Sequence, residues 1–363
     1  MYKNTKILQN IANLYSFLYT MRNITWRIIL TKKKETDFTW CKDLISNCKT
    51  EIAKRVVGQE EVVDGILTAM VAGGHILLEG VPGLAKTLAC KTVSDISGLD
   101  FKRIQFTPDL LPADLTGTLI FEQSSGDFKV RKGPVFTNIV LADEINRAPA
   151  KVQSALLEAM AENQVTIGET TYELPKPFFV LATQNPIEQE GTYNLPEAEL
   201  DRFLMKVMVN YPSPKAEIEI VKSKIKATEI PVEKVLSDKD IKKCRELLDE
   251  VTCDDAIIEY IVSIVNVTRP EAGKKAVNRN SKERDDILRY ISFGASPRAS
   301  IALCQCAKVN AMFAGRNFVL PEDVKAVANK VLRHRLVLSY EAAADGITSD
   351  DLIDKILSLM PVP

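Results

Sequence analysis

Apolar residues before residue 190 fall into short, nearly uninterrupted runs. The clearest are residues 75–79, 138–144 and 178–186, and polar residues lie at the end of each. Runs of this kind are typical of the central strands of a parallel sheet, because such strands are buried on both faces. Ligands of these sheets bind at the carboxyl ends of the strands. The pattern therefore predicts an α/β domain whose binding site lies where the three runs end.

Beyond Pro212-Ser213-Pro214 the apolar residues change to helical spacing. This spacing predicts a second domain built from helices. The highly charged residues 269–286 are expected to form a solvated loop within that domain. The predicted helices cover residues 215–227, 239–251, 255–267, 298–313 and 322–335.

Two segments of alternating apolar and polar residues interrupt the first domain. Residues 117–134 alternate around a Ser-Ser-Gly-Asp turn, and residues 164–174 form a second segment of this kind. Each predicts a β-hairpin. Whether they are functional or merely surface hairpins is left open by the pattern.

A glycine-rich loop follows the first apolar run. It reads Gly80-Val81-Pro82-Gly83-Leu84-Ala85-Lys86-Thr87, with Leu88 next. A strand followed by such a loop predicts phosphate binding by backbone N–H groups at the start of a helix, here near Leu84. Lys86 is expected to reach the β- and γ-phosphates and Thr87 to bind Mg²⁺. Ala85 replaces the usual glycine, which predicts ordinary helical dihedrals there. The alternative is a turn that binds no nucleotide.

Acidic residues end the second run. Asp143 is expected to hold Mg²⁺ through water, and Glu144 to orient or deprotonate an attacking water. The alternative is an acidic helix cap after a core strand. Asn185, at the end of the third run, could contact the γ-phosphate. Arg202 lies near the end of a short helix, and Arg298 lies in the first turn of another, where a cation needs an anionic partner.

This order of motifs resembles the AAA+ ATPases, and the motifs themselves resemble those of the MoxR family in the helix-2-insert clade. The resemblance spans roughly residues 45–340 and rests on six strings. They are Val57-Gly-Gln-Glu60, Leu78-Glu-Gly-Val-Pro-Gly-Leu-Ala-Lys-Thr87, Gln105-Phe-Thr-Pro-Asp-Leu-Leu-Pro112, Ala142-Asp-Glu-Ile-Asn-Arg-Ala-Pro149, Ala182-Thr-Gln-Asn-Pro186 and Leu200-Asp-Arg-Phe203.

The resemblance implies a fold: a P-loop AAA+ core with a parallel five-stranded sheet, two β-hairpin insertions and a C-terminal all-α lid. It implies an N-terminal extension over residues 1–42, a nucleotide-binding domain over 43–212 and a lid over 213–363. It also makes Ala85 a family residue of the loop.

The same resemblance implies the roles of individual residues. ATP is held by residues 80–88 with Gly58, Gln59 and Arg298, and Mg²⁺ by Thr87 and Asp143. The catalytic residues are the catalytic glutamate Glu144, the sensor-1 residue Asn185, the arginine finger Arg202, which acts on a neighbouring subunit, and the sensor-2 residue Arg298. Arg147 either lines the subunit interface or caps the turn after the second run.

MoxR relatives imply an ATP-hydrolysing remodeller or maturation factor for client proteins, with Mg²⁺ as cofactor. The implied assembly is a homo-oligomer, expected as a hexameric ring, with a partner that carries a von Willebrand factor A (VWA) domain. The client stays unidentified. A second hypothesis is a nucleotide-gated scaffold whose slow hydrolysis only times binding. A DNA-directed motor is disfavoured, because Glu169 and Glu173 lie on the second hairpin, which has no Lys or Arg.

The composition bears on two points, nucleic-acid binding and metal binding by cysteine or histidine. The 363 residues carry a net charge of -1, which agrees with a partner other than nucleic acid. Seven scattered cysteines and two histidines lack metal-ligand spacing, and free thiols predict a reducing cytoplasm.

The first 36 residues carry seven Lys or Arg. They could form a membrane-spanning helix, a basic surface helix or a disordered tail, or lie before the true start at Met21 or later. Membrane association is expected only through this extension.

Overall fold

The computed structural model describes residues 37–124, 126–186, 192–193, 195–225, 230–270 and 287–363. The predictions for residues 1–36, and most of the predicted loop 269–286, lie outside these residues. Within the described residues, no helix is both long and apolar enough to cross a membrane.

A five-stranded parallel sheet lies at the centre of the first domain. Its strands are β1 (Ile76–Glu79), β2 (Phe101–Gln105), β5 (Ile139–Asp143), β8 (Phe179–Gln184) and β9 (Met205–Met208). They lie in the order β2–β5–β8–β1–β9, and every pairing is parallel. The three apolar runs are therefore the three central strands, as their lack of polar residues predicts.

Helices cover both faces of the sheet. They are α1 (residues 37–53), α2 (Glu60–Ala72), α3 (Lys86–Ser97), α4 (Pro112–Thr116), α5 (Ala150–Glu162) and α6 (Glu197–Leu200). Apolar residues of α1, α2 and α3 belong to one buried cluster, and those of α5 belong to a second. The sheet is thus the middle of three layers, and the ends of its strands remain open to a ligand.

Both predicted hairpins are present. The first pairs β3 (Gly117–Glu122) with β4 (Asp127–Lys132), and the second pairs β6 (Gln164–Ile167) with β7 (Thr170–Glu173). They contact each other, because a Cβ added to Gly168 would lie 2.8 Å from the Leu119 side chain. The two insertions therefore form one continuous surface.

The lid is helical, as predicted. It contains α7 (Pro214–Ile225), α8 (Asp238–Asp249), α9 (Asp255–Val267), α10 (Pro297–Phe313), α11 (Pro321–Leu332), α12 (Tyr340–Ala344) and α13 (Ser349–Leu359). The sequence patterns missed the last two helices and a short antiparallel pair, β10 (Ile291–Phe293) with β11 (Val337–Leu338). Apolar lid residues join the cluster of α1, α2 and α3, so a shared core ties the lid to the first domain.

Candidate nucleotide-binding and hydrolysis site

The glycine-rich loop joins β1 to α3. Helix α3 begins at Lys86, two residues later than predicted, and no side chain caps its N-terminus. Its first N–H groups are therefore available to phosphate oxygens. The prediction of ordinary helical dihedrals for Ala85 is wrong, since this residue has φ 60° and ψ 18°. A left-handed residue before a helix turns successive N–H groups towards one point, which forms an anion-binding concavity.

Two glycines shape the loop for different reasons. A Cβ at Gly80 would lie 2.7 Å from both the Cβ and the carbonyl oxygen of Val209, so no larger residue fits there. Gly83 has φ 85°, but an added Cβ would meet nothing within 4 Å. Gly80 therefore allows close packing of the loop on Val209, the residue after β9, whereas Gly83 supplies a backbone conformation.

A cavity of about 510 Å³ opens above the loop. One wall consists of residues 82–88, all of which the sequence predicted as ligand contacts. Asp143 and Glu144 lie on another wall, at the end of β5. The lid completes the enclosure through Ile220 and Ser223 of α7. Residues from both domains therefore line this cavity, so a ligand there contacts the core and the lid at once.

Gln59 also lines the cavity, beside the segment that joins the core to the lid. Its amide Nε2 donates to the Asn210 carbonyl at 3.0 Å. A Cβ at Gly58 would lie 2.8 Å from the Ala216 Cβ and 3.2 Å from the Pro212 Cβ. Gly58 itself does not line the cavity, and neither do Gly80 and Val81. Gly58 and Gly80 instead allow close packing on neighbouring segments.

Thr183 organises both acidic residues. Its buried hydroxyl donates to Asp143 Oδ1 at 2.6 Å and accepts the backbone N–H of Glu144 at 2.8 Å. Asp143 Oδ2 accepts from Arg103 Nε at 2.9 Å and lies 2.7 Å from its terminal nitrogen. Both carboxylate oxygens of Asp143 are thereby held in a fixed direction.

Glu144 adopts a left-handed conformation, with φ 57° and ψ 52°. This conformation costs about 1–3 kcal/mol for a residue other than glycine, and such strain clusters at functional sites. Its Oε2 accepts from Gln105 Nε2 at 2.9 Å and lies 3.1 Å from Arg147 Nε. Arg147, whose role the sequence left open, therefore forms an ion pair with Glu144.

Lys86 lies at the base of the cavity. Its ammonium donates to the Gly80 carbonyl at 2.5 Å. Burial lowers the pKa of Lys86, while the carboxylates of Asp143, Glu144 and Glu79 oppose this effect. A half-buried ammonium group among these acids suits the binding of phosphate groups together with a metal ion.

The oxygen atoms here fit a magnesium ion. Thr87, Asp143 and Glu144 line the same cavity, and hydroxyl and carboxylate oxygens are the ligands that Mg²⁺ prefers. One or two protein ligands suffice, because phosphate oxygens and water complete the octahedron around Mg²⁺ in nucleotide sites.

Three of the four predicted catalytic residues lie outside the cavity lining. Asn185 is buried at the end of β8, where its carbonyl accepts from Asn146 Nδ2 at 3.4 Å. Arg202 donates to the Leu157 carbonyl on α5 at 3.0 Å. Arg298 lies 3.9 Å from Asp201 and is largely exposed. The structure therefore does not bring the two arginines to the cavity of their own subunit.

Sequence reasoning missed several residues that the fold places at the site. Arg103 and Gln105 alternate along β2, next to the strand that ends in Asp143. Arg55 also lines the cavity and is held by Asp95 at 2.5 Å. The signal in the sequence was that Arg103 and Gln105 lie two positions apart and therefore on the same face of a strand. The sequence does not show that this strand, β2, lies next to β5, because that depends on the strand order.

Known proteins resemble this chain over most of its length. A family model described as "ATPase family associated with various cellular activities (AAA)" matches residues 75–205, and an AAA lid domain model matches residues 286–356. The chain is 46% identical to "Chaperone MoxR1" of Mycobacterium tuberculosis over 314 residues, which is 86% of this chain and 81% of that protein.

Two further comparisons agree. "Protein MoxR" of Methylorubrum extorquens is 31% identical over 337 residues, which cover 89% of this chain and 96% of that protein. A crystal structure of a candidate ATPase from Cytophaga hutchinsonii is 47% identical, covers 92% of this chain and 99% of its own, and superposes with a TM-score of 0.83. The chain is an ATPase that belongs to the MoxR family of AAA+ proteins.

Proposed function

We propose that this ATPase remodels or matures client proteins as a homo-oligomeric ring, expected to be hexameric, with a VWA-domain partner. The observation that carries the proposal is the cavity between core and lid, because nucleotide turnover there changes contacts with both domains. The relative from Mycobacterium tuberculosis is named a chaperone, which supports this use of the cycle. Seven free cysteines support a reducing cytoplasm as its location.

The binding roles follow from the geometry of the loop. The uncapped N-terminus of α3 and the Lys86 ammonium bind the phosphates, and Gln59 borders the base. Thr87 and Asp143 hold the Mg²⁺, which neutralises charge on the phosphate oxygens when bound. Arg103 and Thr183 keep the Asp143 carboxylate pointed towards the cavity.

The catalytic roles centre on the carboxylate of Glu144, the residue after the proposed metal ligand Asp143. Glu144 orients and deprotonates the attacking water, and Gln105 fixes the direction of its carboxylate. Asn185 positions the water or the γ-phosphate from the adjacent strand. Arg202 approaches the γ-phosphate of the neighbouring subunit and stabilises the charge of the transition state. Arg298 joins its own nucleotide when the lid closes.

The charges on the hairpins favour a polypeptide client over nucleic acid. Of the three cations on the first hairpin, Lys129 is paired with Glu122, the Lys132 ammonium lies 4.8 Å from the Phe136 ring centre and 5.1 Å from that of Tyr172, and Arg131 is exposed. Cations held in this way are poorly placed to track a phosphate backbone. Exposed Phe121 and Phe128 lie edge to face at the hairpin tip, an apolar contact for a protein chain.

Steady-state ATP hydrolysis by Glu144→Gln tests the enzymatic proposal. We expect at least a hundredfold loss of turnover with nucleotide still bound, because only the water-activating carboxylate is removed. Glu158→Gln, an exposed residue of α5, is the matched control and should retain full turnover. An unchanged rate in Glu144→Gln would refute the catalytic role of Glu144. It would favour the nucleotide-gated scaffold with slow hydrolysis. Stimulation of the wild type by single-stranded DNA would instead favour the DNA-directed motor.

A further inference from the structure

Asp201, next to the proposed finger residue, joins the core to the lid. It directly follows α6 and precedes Arg202. Its Oδ1 accepts from Arg335 Nε at 2.7 Å, and its Oδ2 accepts from the Ser296 hydroxyl at 2.9 Å. Two separate lid segments therefore converge on one core carboxylate.

Arg335 binds more than this carboxylate. Its side chain is 3% exposed, and its guanidinium also donates to the carbonyls of Phe203 at 2.7 Å and Leu204 at 3.1 Å. His334 donates to the same Phe203 carbonyl at 3.1 Å. Arg335 also donates to the Asp201 carbonyl at 3.4 Å, so the lid holds the backbone on both sides of Arg202.

The Arg202 side chain contacts the core. It donates to the Leu157 carbonyl on α5, and the neighbouring Phe203 is fully buried in the core. The segment is therefore a short bridge, with its anchor in the core at Phe203 and its attachment to the lid at Asp201. Because the lid also lines the nucleotide cavity through α7, this bridge links the cavity to the finger.

We propose that Asp201 is a positioning residue that ties Arg202 to the lid, so that the lid sets the position from which Arg202 reaches the neighbouring subunit. The inference rests on the proposed role of Arg202 in the neighbour's site. It makes Asp201 part of the communication between successive sites of the ring, although it touches no nucleotide.

Mixed rings separate an effect on the neighbour from an effect on the subunit's own site. Wild-type subunits are mixed with increasing fractions of Glu144→Gln subunits that carry a second substitution, and turnover is followed against the fraction added. Since the added subunits are inactive themselves, any extra loss reports on the finger that they offer to their neighbours.

We expect Asp201→Asn in this background to lower the turnover of adjacent wild-type sites by about tenfold, because a displaced group loses most of its effect on the transition state. Nucleotide affinity of the Asp201→Asn subunits, measured with a fluorescent ATP analogue, reports separately on the subunit's own site, because Asp201 also lies 3.9 Å from Arg298. Asp350→Asn is the matched control, because Asp350 pairs with Arg333 within the lid, whereas Asp201 pairs with Arg335 between the lid and the core.

Arg202→Ala in the same background separates the action of Arg202 on the neighbouring subunit from the positioning role of Asp201. If it adds no loss beyond Glu144→Gln alone, Arg202 does not act in trans, and the proposed function and this inference both fail. If Arg202→Ala adds loss but Asp201→Asn does not, the function stands and the inference alone is overturned.

A milder variant covers the case in which Asp201→Asn does not assemble. Ser296→Ala removes one hydrogen bond to Asp201 and leaves the ion pair intact, so we expect about threefold extra loss. Ser296 also caps α10, and Ser237→Ala removes an equivalent cap from α8. Equal behaviour of Ser296→Ala and Ser237→Ala would refute the positioning role.

Discussion

Replacement of Thr183 by valine tests whether one hydroxyl organises the catalytic acids. Valine keeps the shape of the side chain but removes the donor to Asp143 and the acceptor of the Glu144 N–H. A hydrogen bond to a charged group contributes about 1.5–3 kcal/mol, and a buried unsatisfied N–H costs about 1–3 kcal/mol. Thr183 is fully buried, so water cannot replace these partners. We expect Thr183→Val to lower the free energy of unfolding by about 3 kcal/mol.

Two assays check this expectation. Urea denaturation measures the free energy of unfolding, and ATP hydrolysis titrated with Mg²⁺ measures turnover and the half-saturating metal concentration. We expect turnover to fall by at least about tenfold, because both carboxylates lose their direction. Thr183→Ser should restore most of both quantities, because it retains the hydroxyl.

The matched control is Thr92→Val on α3. Thr92 is equally buried, but its hydroxyl donates only to the Leu88 carbonyl of the same helix, at 2.8 Å. We expect this change to cost about 1 kcal/mol or less and to leave turnover intact. If Thr183→Val proved no more harmful than Thr92→Val in either assay, the hydroxyl would not organise the site.

Two further predictions concern stability. Burial lowers the pKa of His75 from its ordinary value of 6.5 to about 4, so the unfolded chain takes up the extra proton first as the pH falls. The free energy of unfolding should therefore decrease by about 3 kcal/mol from this residue as the pH falls from 6.5 to 4. Urea unfolding across that range should show a smaller decrease for His75→Gln than for the wild type. An equal decrease in both proteins would contradict the lowered pKa of His75. Ala85→Gly should raise the free energy of unfolding by about 0.5–1 kcal/mol and preserve ATP turnover, because glycine relieves the left-handed conformation. A loss above 1 kcal/mol in the same measurement would show that the methyl group of Ala85 stabilises the loop.

Local patterns in the sequence predicted the elements of the site well. Residues 255–267 form a helix with the predicted bounds, and the strand that ends in Asp143 lies at the centre of the sheet. Such patterns succeed because burial on one or both faces dictates which positions are apolar. The helix over 239–251 shifted by one or two residues, to Asp238–Asp249, because the Ser237 cap decides where it begins.

The dihedrals of Ala85 were predicted wrongly for a physical reason. Residue identity predicts the conformation that a residue prefers in isolation, and alanine prefers right-handed helix. At this position the loop must return from β1 to α3 within a few residues, so the surrounding chain overrides that preference. Glu144 is a second residue with a left-handed backbone conformation, and no local pattern predicted that conformation.

The sequence by itself determined the chemistry of this protein: a phosphate loop, two acids after a buried strand and two arginines of defined motif. Only the tertiary structure decided which residues hold them in place. Thr183, Arg103 and Gln105 reach Asp143 and Glu144 because β2 and β8 flank β5 in the sheet, and Arg335 reaches Asp201 across 134 positions of sequence. Such contacts depend on strand order and on the packing of the lid, which arise from burial summed over the whole chain and cannot be assigned from any local segment alone.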